Sequence, residues 1–95
     1  MTLDEYRVQL VEQLKKLRDE RAARLLIQEA DSNLQNHSIS DSGQLGFWQA
    51  LDSDLETAKR DSQLLLERQA AAALSQVIAA AQAVIAQHQQ RVRSK

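Results

Sequence analysis

The sequence predicts an all-α fold, and three features of its composition favour that class. Ala and Leu occur 14 times each and Gln 13 times among 95 residues, and all three residue types have high helix propensity. There is no Pro and only two Gly, so residues that interrupt helices are scarce. Aromatic residues make up 3% of the chain, which disfavours a β fold. We therefore expect residues 1–95 to form one domain, either an antiparallel helical hairpin or a small three-helix bundle with a long C-terminal helix.

The first helix is predicted over about residues 3–35. Thr2 and Glu5 have the spacing of a capping box, in which the Thr hydroxyl and the Glu carboxylate satisfy free backbone amides. Apolar residues then follow at steps of three and four, which places them on one stripe of a helix: Leu3, Tyr6, Leu10, Leu14 and Leu17.

The apolar stripe changes sides at the charged segment 18–21. Beyond this segment the apolar positions lie on nearly the opposite side of the helix, at about 100° per residue: Ala23, Leu26, Ile27, Ala30 and Leu34. Either the helix bends or breaks at 18–21, or its two halves face different partners.

A loop is predicted over about residues 36–46, where Asn, Ser, Asp and both Gly cluster. The rest of the chain is predicted to be helical over 43–93, either continuous or broken near 52–62, because Ser53 and Glu56 form a second capping-box pattern there. A helix of 40 residues spans about 60 Å, whereas the first helix spans about 50 Å. Part of the longer apolar stripe is therefore expected to need a bend, a second copy or another protein to cover it.

The sequence holds few groups suited to chemistry. There is no Cys, and the two histidines, His37 and His88, have no metal-ligand or catalytic partners at a defined spacing. His88 is expected to be a half-buried residue near a helix C-terminus, where its charged form is favoured. We expect no enzymatic activity, no cofactor and no metal site.

Two basic clusters raise a nucleic-acid hypothesis, since phosphate contacts require only such clusters. The formal net charge is -1, and acidic residues are interleaved with the first cluster, which is typical of ion pairs on a helix surface. Nucleic acid is therefore an unlikely partner on the sequence alone. The basic candidates are Lys15, Arg18, Arg21, Arg24, Arg91 and Arg93.

The segment 69–90 is the strongest candidate for an interaction surface, because it contains no charged side chain. It invites a transmembrane interpretation, but its many Gln side chains are costly in hydrocarbon, and we expect no membrane contact. Charge is depleted at the centres of protein interfaces, although an intramolecular core has the same composition. We expect Trp48 to lie in the core or to act as an interface anchor. The predicted contact face on the C-terminal helix is Leu74, Val77, Ile78, Ala81, Val84 and Ile85.

Together these features predict a small protein–protein interaction module, acting as an adaptor, chaperone or antagonist that presents an amphipathic helical face. The alternatives are a self-assembling structural homodimer and a regulator that binds nucleic acid through the basic clusters. The expected partner is another protein or a second copy of the chain. The acidic N-terminal residues are unlike a signal peptide, so we expect a cytoplasmic location.

Overall fold

The computed structural model describes residues 2–94, and Met1 and Lys95 lie outside the described residues. Within 2–94 the chain forms four α-helices and no strand: α1 (Leu3–Lys16), α2 (Glu20–Asn36), α3 (Asp41–Leu65) and α4 (Arg68–Arg93). The all-α prediction is confirmed, and the C-terminal helix is long, at 26 residues. The chain has more helices than the hairpin or three-helix bundle that the sequence predicted, because both predicted long helices are divided.

The first division falls where the apolar stripe changes sides. Leu17 is extended (ψ 152°), and the side chain of Asp19 accepts a hydrogen bond from the Arg21 amide to cap α2. The Arg18 guanidinium donates to the carbonyls of Lys15 and Leu17 at 3.2 and 3.0 Å, which satisfies groups that the end of α1 leaves unpaired. The single helix predicted over 3–35 is therefore two helices.

The connection between α2 and α3 is only residues 37–40, which is shorter than the loop predicted over 36–46. The side chain of Ser40 accepts from the Gly43 amide at 3.1 Å and so begins α3. Both glycines consequently lie inside the helix. Ser38 has φ 56°, in the left-handed region that reverses the chain direction after a helix.

The third connection is at Leu66 and Glu67, which matches neither the continuous helix nor the break near 52–62 that the sequence left open. The Ser53–Glu56 pattern lies in the middle of α3, where Leu55 is fully buried, and packing of this kind overrides a local capping signal. Leu66 is extended, and the Glu67 side chain accepts from the Ala70 amide to cap α4. The break lies in the segment from Ser62 to Leu74, where the stripe positions follow one another at steps of four only, instead of alternating steps of three and four.

The core lies around an antiparallel pair formed by α3 and α4. The Trp48 and His88 rings are 5.0 Å apart, and the Gln82 amide donates to Glu56 at 2.8 Å. α1 packs along α3 and α2 along α4. The most deeply buried side chains come from all four helices and include Leu10, Leu14, Ile27, Leu34, Trp48, Leu51, Leu55, Ile78 and Ile85.

The α3–α4 pair extends past the other two helices. α3 and α4 have 25 and 26 residues and are about 38 Å long, whereas α1 and α2, with 14 and 17 residues, reach only about 21 and 26 Å. Every residue from 63 to 70 is exposed. The length mismatch expected from the sequence is therefore present as an uncovered end of the α3–α4 pair.

Candidate functional site

The structure places the predicted contact face of α4 in the protein core. Five of its residues are between 0 and 4% exposed, and Leu74 is half-buried against the same core. Because α2 and α3 both pack on that side of α4, no partner can reach it in this fold, and the prediction of an accessible face there is wrong. The five buried residues are Val77, Ile78, Ala81, Val84 and Ile85.

Trp48 belongs to the core as well. Its exposed fraction is 0%. The ring of Phe47, its neighbour on α3, contacts the Trp48 ring edge-on at 5.2 Å, and the His88 ring on α4 lies 5.0 Å from it. The interface-anchor interpretation of Trp48 is therefore not compatible with this fold, and the core interpretation holds.

The opposite side of α4 is exposed and carries no charge. We call this surface the outer face of α4; its residues are spaced alternately by three and four, and all are exposed: Gln69, Ala72, Gln76, Ala79, Ala83, Ala86 and Gln90. It is about 32 Å long. Each of the other three helices carries acidic or basic side chains at several exposed positions, so the outer face of α4 differs from the rest of the helical surface.

Three consecutive leucines lie at the uncovered end of the α3–α4 pair. Leu64, Leu65 and Leu66, here called the leucine tip, are 78, 81 and 45% exposed. A single exposed leucine is ordinary, but adjacent ones form an apolar patch of the kind that marks interaction sites.

A shallow concavity joins the leucine tip to the outer face of α4. It has a volume of about 550 Å³ and is lined by Gln63, Leu66, Arg68, Ala71, Ala72 and Ser75. Ala72 belongs to the outer face, and Leu66 belongs to the leucine tip. The concavity therefore places the leucine tip beside one end of the outer face of α4.

A buried polar cluster joins α2 to α4 at the other end of the molecule. The Arg91 guanidinium donates to both carboxylate oxygens of Asp31, at 2.7 and 2.8 Å, and the side chain of Asp31 is only 11% exposed. The Gln35 amide donates to the same carboxylate at 3.1 Å. Burial raises the pKa of Asp31, but the Arg91 hydrogen bonds and the nearby charges of His88 and Arg91 outweigh burial, so the pKa lies below its ordinary value of 3.8.

His88 lies beside this pair, and its burial disfavours the charged form of the ring. Its Nδ1 is 3.8 Å from an Asp31 oxygen, yet burial outweighs that attraction and, together with the Arg91 charge, lowers the pKa of His88 below 6.5. The expectation that the helix C-terminus favours charged His88 is therefore wrong, because desolvation dominates there. Four buried atoms of this region have no hydrogen-bond partner among the described residues: Gln44 Oε1, Trp48 Nε1, His88 Nε2 and Arg91 Nε.

The basic candidates do not form one surface. Lys15 pairs with Glu12 at 3.5 Å, Arg24 pairs with Glu20 at 3.9 Å, and Arg91 pairs with Asp31. The first cluster, around Arg18, Arg21 and Arg24, borders α4 near Gln76. Arg91 and Arg93 are at the other end of α4, more than 20 Å away along the helix.

By length and composition, α4 is apolar enough to cross a membrane, although only 39% of its most apolar stretch is buried in the fold. This apolar character comes from the segment 69–90, which contains no charged side chain. The core helix of a soluble protein passes the same test, so the property by itself identifies no environment.

Sequence reasoning missed Asp31 and the division of segment 69–90 into two sides. Asp31 continues the second stripe, four residues after Ile27, and that position was the available signal that its side chain is buried. In α4 the buried positions and the exposed positions both repeat at steps of three and four. Spacing therefore does not tell the buried side from the exposed side, and the only signal in the sequence is that Val and Ile lie on one side.

Comparison with known proteins finds no matching family model, no similar curated protein and no similar solved structure.

Proposed function

We propose that this chain is a small, non-enzymatic protein–protein interaction module that binds a helical partner through the outer face of α4 and the leucine tip. One observation carries the proposal: charge is excluded from an exposed helix face about 32 Å long, while the other helices carry charges at exposed positions. Because charged residues are depleted at the centres of interfaces, this exclusion is what a docking face requires.

The mechanism follows from the side chains of that face. Ala at four of its seven positions lets a partner helix approach to about 8 Å between axes. The Gln amides at its ends supply hydrogen bonds at the rim, and the leucine tip adds large apolar groups that a partner pocket can bury. A module of this kind acts as an adaptor, chaperone or antagonist by covering or joining helical surfaces.

Site-specific photo-crosslinking in cells tests the proposal. A photoreactive amino acid replaces Ala79 on the outer face of α4 or, as a matched control, the exposed Gln49 on α3. We expect discrete crosslinked products of defined mass from position 79 and none from position 49. Equal labelling at both positions, or no product from position 79 in a folded and expressed chain, refutes a docking role for this face.

Fractionation of the same cells tests the cytoplasmic expectation. We propose that the chain and its crosslinked product are found in the soluble fraction, because the Gln side chains of α4 disfavour hydrocarbon. Recovery with membranes that withstands a high-salt wash would assign the apolar character of α4 to a lipid environment instead.

A further inference from the structure

We infer that the fold contains a binding site for one internal water molecule, between the start of α3 and the end of α4, where the water joins Gln44 and Trp48 to His88. The site lies on the buried side of α4, so the inference is independent of the proposed function. It rests on unpaired buried polar atoms, on the contacts that hold their side chains in place and on the chemistry that those atoms require of a ligand.

The unpaired atoms belong to facing turns of two helices. On α3, Gln44 lies one turn before Trp48. On α4, Arg91 lies about one turn after His88. The two helices are antiparallel and the Trp48 and His88 rings are 5.0 Å apart, so the turn with Gln44 faces the turn with Arg91. Asp41, in the first turn of α3, interacts electrostatically with Arg91, which agrees with this placement.

The side-chain amide of Gln44 is held by its own nitrogen. Nε2 donates to the carbonyl of Ile39 at 2.9 Å, so Oε1 cannot turn towards another group unless that bond is lost. Gln44 is 5% exposed, and its Oε1 accepts from no group within residues 2–94. Because a buried carbonyl oxygen is unfavourable without a hydrogen bond, this atom requires a donor.

The rings of Trp48 and His88 supply two more unpaired nitrogens. Trp48 is fully buried, and its Nε1–H can only donate. In His88, Nδ1 already lies 3.8 Å from Asp31 and 3.4 Å from Arg91, so Nε2 is the nitrogen that is left to pair with another group. It donates or accepts according to the tautomer of the ring. The site therefore combines one acceptor, one donor and one group that serves as either.

Water matches this set of atoms. It accepts from the Trp48 N–H, donates to Gln44 Oε1 and pairs with His88 Nε2, which gives the roughly three hydrogen bonds that are typical of a buried water. Arg91 Nε, on the next turn, is a further donor beside the site. An anion could not donate to Gln44, and the charge of Arg91 is already paired with Asp31 at 2.7 Å. The ligand is therefore neutral and both donates and accepts.

A high-resolution crystal structure of the unaltered chain is the first part of the test. We expect electron density for a single water oxygen at about 2.7–3.2 Å from both Trp48 Nε1 and Gln44 Oε1. A Trp48 N–H that donates directly to Gln44 or His88, with no water oxygen in contact with either ring nitrogen, overturns the inference.

Oxygen-17 relaxation dispersion of the solvent is the second part, because it measures long-lived internal waters in solution. Gln44→Met removes the acceptor and keeps a side chain of similar length, so we expect the dispersion amplitude to fall by the contribution of one water molecule. Gln49→Met, at an exposed position of α3, is the matched control and is expected to leave the amplitude unchanged.

Equal dispersion amplitudes in the wild type and in a folded Gln44→Met variant would also overturn the inference. The crystal structure uses the unaltered chain, so it decides the question even if Gln44→Met does not fold. Neither measurement involves the outer face of α4, and loss of the water site therefore leaves the proposed docking role to its own crosslinking test.

Discussion

Asp31 is the residue on which the junction between α2 and α4 most depends. Asp31→Asn keeps the side-chain shape but leaves Arg91 and His88 without a negative charge. Breaking a fully buried pair costs about 3–5 kcal/mol, and because Arg91 is 37% exposed we expect a smaller loss, about 2–3 kcal/mol of unfolding free energy. Urea unfolding at pH 7.5 measures it.

The matched control for Asp31→Asn is Asp61→Asn, at an exposed position of α3. We expect it to change the unfolding free energy by less than about 0.5 kcal/mol. Equal effects of the two substitutions would show that the Asp31–Arg91 pair contributes nothing specific to the fold.

The lowered pKa of His88 predicts how the stability of the fold depends on pH. Its pKa in the fold is below 6.5 because burial penalises the charged ring, so the unfolded chain binds the proton more readily. Stability is therefore complete above about pH 6.5, falls as the pH drops below that value, and levels off once the folded state is protonated too. Asp31, whose pKa is below 3.8, contributes a further loss only at lower pH.

Urea unfolding at pH 7.5, 6.5, 5.5 and 4.5 measures this dependence. The His88→Gln variant removes the titrating group, and its stability is expected to change less over the same range. An unchanged slope in that variant, or a wild-type chain whose stability rises on acidification, would contradict the assignment to His88.

At the scale of single elements, the turn between α2 and α3 carries a local strain. Ser38 has φ 56°, a conformation that costs a residue with a Cβ about 1 kcal/mol relative to Gly. Ser38→Gly is therefore expected to raise the unfolding free energy by about 0.5–1 kcal/mol. Thermal unfolding followed by circular dichroism gives the result.

The neighbouring Ser40 provides the opposite control for the turn. Its hydroxyl caps α3 by accepting from Gly43, so Ser40→Ala is expected to lower the unfolding free energy by about 1 kcal/mol. A loss of stability in Ser38→Gly would mean that the Ser38 side chain makes contacts that outweigh its backbone strain.

The leucine tip is predicted to serve association and not folding. Because Leu64 and Leu65 are 78 and 81% exposed, the double substitution Leu64→Ser, Leu65→Ser is expected to leave the unfolding free energy within about 0.5 kcal/mol of the wild type. The yield of crosslinked product from position 79 is expected to fall several-fold. A large loss of stability, or an unchanged crosslinking yield, would remove the tip from the docking surface.

The helices were predictable to different degrees, for physical reasons. The start of α1 follows from local chemistry: the Thr2 hydroxyl accepts from the Glu5 amide at 3.1 Å, as its spacing predicts. The change of stripe at 18–21 had two explanations, a bend or break in the helix and two halves with different partners. The structure has the break, after Lys16, because one straight helix cannot face one core with both sides. The end of α3 was misplaced because burial of Leu55 outweighs the capping pattern at Ser53, and burial is a tertiary property.

At the scale of the whole molecule, composition was enough to predict the all-α class but not the number of helices. The unequal lengths of the predicted helices indicated that some apolar surface would stay uncovered, and the exposed residues 63–70 are that surface. Which side of α4 is covered depends on where α2 and α3 pack. The sequence pattern therefore singled out the segment 69–90 by its lack of charge, but it assigned the docking face to the side of α4 that is buried.

The central claim is that α4 has an inner face that folds the protein and an outer face that associates. It is tested most directly by photo-crosslinking in cells from position 83, in chains that carry Ala79→Glu or Ala81→Glu, with the unfolding free energy of each variant as the internal standard. Ala81 is 0% exposed, so a buried carboxylate there is expected to unfold the chain. Ala79 is exposed, so Ala79→Glu is expected to keep wild-type stability within about 0.5 kcal/mol and to lose most of the crosslinked product that the wild type gives from position 83. A stable Ala79→Glu variant that associates as well as the wild type would contradict the claim.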